Sequence, residues 1–155
     1  MAITIPGTVT GAAQTGLTSP TYTTAVDTAV DSNSKQAVVT AIGGTQAGVD
    51  AHSISRPFTL TAVRPKQFNV LGKPNPTTGL IPVIPVNQYN VRTRKGVTPL
   101  AAQPSAVASI DSVIRVPAGS DLADPANLRA MISAHIGLLT AISAGLGDTL
   151  TNGVM

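Results

Sequence analysis

The chain reads as an α+β protein, strands first and helix last, with the helix on one face of an antiparallel sheet. Three observations predict this. Through the first three quarters Thr, Val, Ile and Ala dominate, often alternating with polar residues, with Gly and Pro as punctuation. Near the end the apolar residues switch to helical spacing. No internal repeat of fixed period is visible, so the 155 residues fit one domain, β-rich over 1–117 and helical over 118–155.

Each element follows from local pattern. Tyr22, Thr24, Val26, Thr28 and Val30 alternate up to the turn cluster Asp31-Ser32-Asn33-Ser34. A second strand from Lys35 to Ile42 ends at Gly43-Gly44. A third begins near Gly48 and extends as far as Arg64, with Pro57 marking its start, an edge or a bulge. Lys66 to Val86 holds Pro74, Pro76, Pro82 and Pro85, which predicts an extended, partly exposed connection. Asn87 to Val97 is a strand, Gly96 to Ser105 a loop, and Ala106 to Val116 the last strand. Asp124 is an N-cap and Pro125 suits the first helical position. Leu128, Met131, Ile132, His135, Leu138, Leu139 and Ile142 then recur at helical spacing. One helix over about 125–144 follows, with Gly145 and Gly147 as C-caps and room for a short second helix.

Composition narrows the function. Only 11% of residues are charged, against a usual ~25%. No Glu occurs, yet 43% of residues are apolar. Such a surface is not built to face water as a free monomer, and an obligate oligomer is expected. Disorder requires the opposite balance. The absence of Cys excludes disulfides and thiolate chemistry. Met1 to Pro6 lacks a basic segment and a long apolar run, so no secretory signal is expected there. Leu128 to Gly147 is interrupted by Arg129, Ser133 and His135, and no membrane partner is expected.

Charge is uneven. Residues 51–110 carry Arg56, Arg64, Lys66, Lys73, Arg92, Arg94 and Lys95 and no acid. Strand alternation sorts these side chains onto faces. Phe58, Leu60 and Ala62 oppose Thr59, Thr61 and Val63. Tyr89, Val91 and Thr93 oppose Gln88, Asn90, Arg92 and Arg94. Ile110, Ile114 and Val116 oppose Ser109, Asp111, Val113 and Arg115. The apolar faces are expected to pack under the helix. The polar faces would form one broad surface suited to a polyanion, with Arg for phosphates and Thr, Asn and Gln for phosphate or base edges. Tyr89 falls on the apolar side, so no aromatic ladder is available for stacking. Phosphate-dominated binding with weak sequence preference is the expectation. The same pattern also fits a plain solvated sheet face whose Thr residues serve strand propensity.

No catalytic constellation emerges. Asp50, His52 and Ser53 are near neighbours in sequence, but i, i+2 spacing does not reproduce triad geometry. His135 sits on the apolar helix stripe. Two His without Cys give no metal spacing. Gly43-Gly44 followed by Gly48 lacks the Lys-Ser/Thr pair of a phosphate loop. No enzyme activity and no cofactor are expected.

The run Val113-Ile114-Arg115-Val116-Pro117-Ala118-Gly119-Ser120-Asp121, followed by an amphipathic helix and a small-residue tail, resembles the C-terminal half of coat proteins from small single-stranded RNA bacteriophages of the levivirus type. Phe58-Thr59-Leu60-Thr61-Ala62-Val63-Arg64-Pro65-Lys66 resembles an earlier strand of that family. The resemblance covers residues 56–66 and 106–153. It implies an N-terminal hairpin, a five-stranded antiparallel sheet and C-terminal helices that cross the partner in a homodimer. It further implies an icosahedral shell, usually of triangulation number three, in a virion assembled in the bacterial cytoplasm. The sheet would face packaged genomic RNA, and some members repress translation by binding an RNA hairpin. The best-known members place an aromatic and an Asn where Ser109 and Asp111 stand here.

Together these readings make Thr59, Thr61, Lys66, Gln88, Asn90, Arg92, Arg94 and Arg115 the RNA-facing candidates. Leu128, Met131, Ile132, His135, Leu139 and Ile142 are the candidates for the dimer interface. The loop Gly96 to Ser105 is expected to line symmetry axes. The alternative is a β-rich adhesin, pilin-like or tail subunit, which has no need of an acid-free stretch over 51–110.

Overall fold

Six strands pair in sequence order into one antiparallel sheet in the computed structural model, which describes residues 2–155. They are β1 (Thr8–Thr10), β2 (Thr18–Asp27), β3 (Ser34–Thr45), β4 (Phe58–Val63), β5 (Val86–Val97) and β6 (Ala106–Pro117). Three helices follow: α1 (Ser120–Ala123), α2 (Pro125–Ala141) and α3 (Ser143–Asn152). The α+β class and the order of elements match the expectation. The N-terminal hairpin β1–β2 is continuous with the sheet, Thr8 facing Thr23, so the sheet has six strands and not five.

The start of β4 differs from the sequence expectation. Residues 46–57 make no strand, although apolar and polar residues alternate there. The His52 N–H donates to the Val39 carbonyl at 2.8 Å, and its Nδ1 accepts the Phe58 N–H at 3.0 Å. His52 thus staples the connection to β3 through its backbone and to β4 through its ring, and Pro57 has no N–H to offer a ladder. Gly43-Gly44 is also explained by backbone contact. Gly44 has φ +77, and a Cβ there would lie 2.2 Å from the Ser19 carbonyl oxygen. The register slips between Thr18 and Thr21 at this place, with Ser19 at φ 48. A bulge of this kind needs glycine for close approach.

β5 and β6 pair along their full length, from Val86↔Pro117 to Val97↔Ala106. Gly119, left-handed at φ +87, turns the chain out of β6 into α1. Asp124 caps α2 by accepting the Asn127 N–H, and Pro125 occupies the first turn. The helical segment breaks at Ile142 and bends by 58° into α3. Gly145 and Gly147 therefore lie inside α3 and are not C-caps; Gly153 at φ +74 takes that role. Gly147 makes room for a side chain from the hairpin. A Cβ there would sit 2.0 Å from the Gln14 side chain, which donates to the Ser143 carbonyl at 2.9 Å and ties the hairpin tip to α3.

The hydrophobic core is thin. Ala37, Val39, Phe58 and Ala118 are its buried apolar residues among those described. The second sheet face carries Leu60, Val91 and Ile110, and Val91 and Ile110 are exposed. Within the chain this face is not covered by α2, which buries no residue.

Candidate nucleic-acid interface

Strand register assembles the polar face row by row. One row crosses five strands as direct partners: Asp27, Gln36, Thr61, Arg92 and Asp111. The next row toward the 98–105 loop is Ala25, Val38, Thr59, Arg94 and Ser109. On the other side Ser34, Val63, Asn90 and Val113 align, followed by Gln88 and Arg115. Thr59, Thr61, Gln88, Asn90, Arg92, Arg94 and Arg115 thus share one face, as the alternation predicts.

The central row is wired by side chains. The Thr61 hydroxyl donates to Gln36 Oε1 at 3.1 Å, and Gln36 Nε2 donates to Asp27 Oδ2 at 2.6 Å. Across the sheet, Arg92 Nε donates to Asp111 Oδ1, which also accepts from Asn90 Nδ2 at 3.2 Å. The Arg92 hydrogen bond holds the Asp111 carboxyl below its ordinary pKa. The Gln36 amide, and after it the Thr28 N–H, does the same for Asp27. Both ends of the row are therefore ionised carboxylates already supplied with donors. A concavity of about 360 Å³ opens beside the row, lined in part by Asp31, Gln36, Thr61, Asn90, Arg92 and Arg94.

This geometry divides the candidate cations. Among the described residues the ion pairs are Arg56–Asp50, Lys66–Asp31 at 2.9 Å, and Arg92–Asp111. Arg94 and Arg115 are exposed and belong to none of them. Lys66 lies beyond the end of β4, off the ladder, with its charge turned to Asp31. Thr59 stands on the face but is only 7% exposed, and its buried Oγ1 has no partner. It forms a wall of the surface and not an open contact.

Asp27 and Gln36 escaped the sequence reading. The signal was present. Counting outward from the turn at Asp31-Ser32 pairs 27 with 36, which places both on the polar face. His52, Asp50 and Ser53 are separately engaged: His52 with the Phe58 N–H, Asp50 with Arg56, and Ser53 Oγ as acceptor for the Arg56 N–H.

None of the proposed interface residues, on α2 and at its C-cap Ile142, is buried within the chain. Leu128 is half-buried, while Met131, Ile132, His135, Leu139 and Ile142 are exposed. Ile136 and Leu138 are exposed as well. Leu138 projects about 120° away from Ile132 around the helix. The apolar surface is therefore wider than a single stripe.

No family profile and no curated protein matches the sequence. Among solved structures, the virus-like particle of bacteriophage ESE020 matches with a TM-score of 0.96 and 49% sequence identity. The match covers 99% of this chain and 100% of that one. An adhesin or pilin-like subunit does not account for this likeness. Identity of this degree over the whole length, together with the sheet and helices described above, shows that the chain belongs to the bacteriophage coat proteins, with a structural role in the capsid.

Proposed function

We propose that two copies pair through their helices and apolar sheet faces, that the pairs close into an icosahedral shell of triangulation number three, and that the polar sheet face lines its interior and packages single-stranded RNA. The observation that carries this reading is the contrast between the two faces. One face is apolar; its β3–β4 part is buried within the chain at Ala37, Val39 and Phe58, but its β5–β6 part, with Val91 and Ile110, is exposed, beside a helix that buries nothing. The other is polar, continuous across five strands, and holds free cations at Arg94 and Arg115. Leu128, Met131, Ile132, Ile136, Leu138 and Leu139 cover an arc of about 160° around α2, and an apolar face of that width calls for burial against another surface. Covering the apolar side with a second copy leaves the polar side for the ligand.

RNA contacts on this face are mainly to phosphate. Aromatic side chains are missing from it, since Tyr89 pairs with Ile114 on the other side. Translational repression through a hairpin would then rest on shape and backbone contacts, because Ser109 and Asp111 offer neither stacking nor a free amide.

The test is the RNA content and salt dependence of purified particles. Arg94→Ala/Arg115→Ala is expected to lower RNA loading and to flatten the salt slope by about two phosphate contacts' worth. Arg92→Ala alone is expected to do less, because Asp111 already neutralises that guanidinium. Asp111→Asn is expected to free Arg92 and steepen the slope. Unchanged loading and slope in the double variant would mean that this face does not meet RNA.

A further inference from the structure

The connection between β4 and β5 is long, apolar and without cover. Residues 64–85 contain no regular element, and every residue from 66 to 80 is exposed. Val70, Leu80, Val83 and Ile84 stand in solvent, at 79%, 70%, 74% and 54% exposure. Lys73 is the single charge between Gln67 and Pro85. A surface loop of this length that served only as a tether would be polar and variable in shape.

This one is shaped at both ends. At its base, the Asn69 N–H donates to Asn87 Oδ1 at 2.8 Å and Asn87 Nδ2 donates to the Asn69 carbonyl at 3.0 Å. Asn69 Nδ2 also reaches the Val86 carbonyl at 2.9 Å. Leu71 packs directly against Gly119, where a Cβ would lie 2.2 Å from Leu71 Cδ1. At its tip, Asn75 closes a turn. Its Oδ1 accepts the Thr77 N–H at 2.8 Å, and its backbone N–H donates to the Leu80 carbonyl at 2.8 Å. Pro74, Pro76, Pro82 and Pro85 restrict the backbone of the segment. The segment is thus a preorganised arm, and preorganisation lowers the ordering cost of docking. Between its base and the turn at residues 76–78 the chain forms no helix or strand, and every residue from 66 to 80 is exposed.

We propose that this arm docks on a further copy of the same chain, outside the helix-paired unit, and so links units into the shell. The proposal rests on the shell reading above. Area supports a second kind of contact between copies. A compact monomer of 15.6 kDa exposes about 7,200 Å², whereas this chain exposes 10794 Å². An obligate pair of chains typically buries about 1,000–2,500 Å² on each, which leaves surplus for contacts beyond the pair. The phage particle chain aligned with this one is covered over 100% of its length, so its match includes the arm.

Leu80→Asp/Val83→Asp tests this. Both side chains are exposed in the single chain, so folding and the helix-paired unit are expected to survive, read by circular dichroism and sedimentation. Particle formation is expected to fail, or to require at least about tenfold more protein. Leu80→Ser/Val83→Ser is expected to act in the same direction more weakly, and carries the test if the charged pair disturbs folding. Assembly of these variants at the wild-type concentration, with wild-type particle stability, would overturn the arm's role while leaving the shell intact. Failure of the wild-type chain to assemble would instead overturn the shell reading itself.

Discussion

Arg92 and Arg94 lie two residues apart on one strand face, yet they present different charges to a ligand. Arg92 faces Asp111 across the ladder and bonds it, while Arg94 faces Ser109 and is free. A solvated surface pair of this kind contributes little to stability. Its effect is to cancel a cation in the middle of the face. The same row gives the fold a pH signature. Asp27 and Asp111 both have folded-state pKa values below the ordinary range. Their contribution to stability is therefore complete above that range and is lost as pH falls through the lowered values. Asp27→Asn/Asp111→Asn is expected to weaken the decline of melting temperature on acidification, measured at fixed protein concentration. A wild-type decline in that variant would show that the row does not stabilise the fold.

At the level of elements, α2 shows how far the sequence reaches. Its start was legible because Asp124 and Pro125 act through local geometry. The strands β5 and β6 were legible for the same reason: period 2 is local, and so is the sorting of Arg92, Arg94 and Arg115 to one side. The third strand was misjudged because a tertiary hydrogen bond, from the Phe58 N–H to the His52 ring, ends the loop. The Arg92–Asp111 pair needed the β5–β6 register, which alternation alone does not set. The helical spacing marks an apolar stripe but does not by itself say which surface covers it. Here the stripe is free, and Leu139 is 40% exposed. Leu139→Asp consequently carries no penalty in the lone chain. Buried beneath a second copy, the unpaired charge would cost several kcal/mol. The variant is expected to remain folded and to lose the two-chain species in sedimentation. Intact pairs would place the helix stripe elsewhere.

On the scale of the whole molecule, the four buried apolar side chains among the described residues make a poor core. The apolar residues are present, since they make up 43% of the chain, but many of them lie at the surface. Its low charge, read first from composition, has the same cause: surface that meets other copies has no use for Lys, Asp or Glu. Folding and assembly are on this account linked: burial against other copies adds to the stability of the single chain, so stability rises with protein concentration. Sedimentation velocity of the wild-type chain expressed alone, recorded at 260 and 280 nm, tests this most directly. The account predicts a particle far larger than two chains, carrying nucleic-acid absorbance. A small species at every concentration, folded and free of RNA, would contradict it.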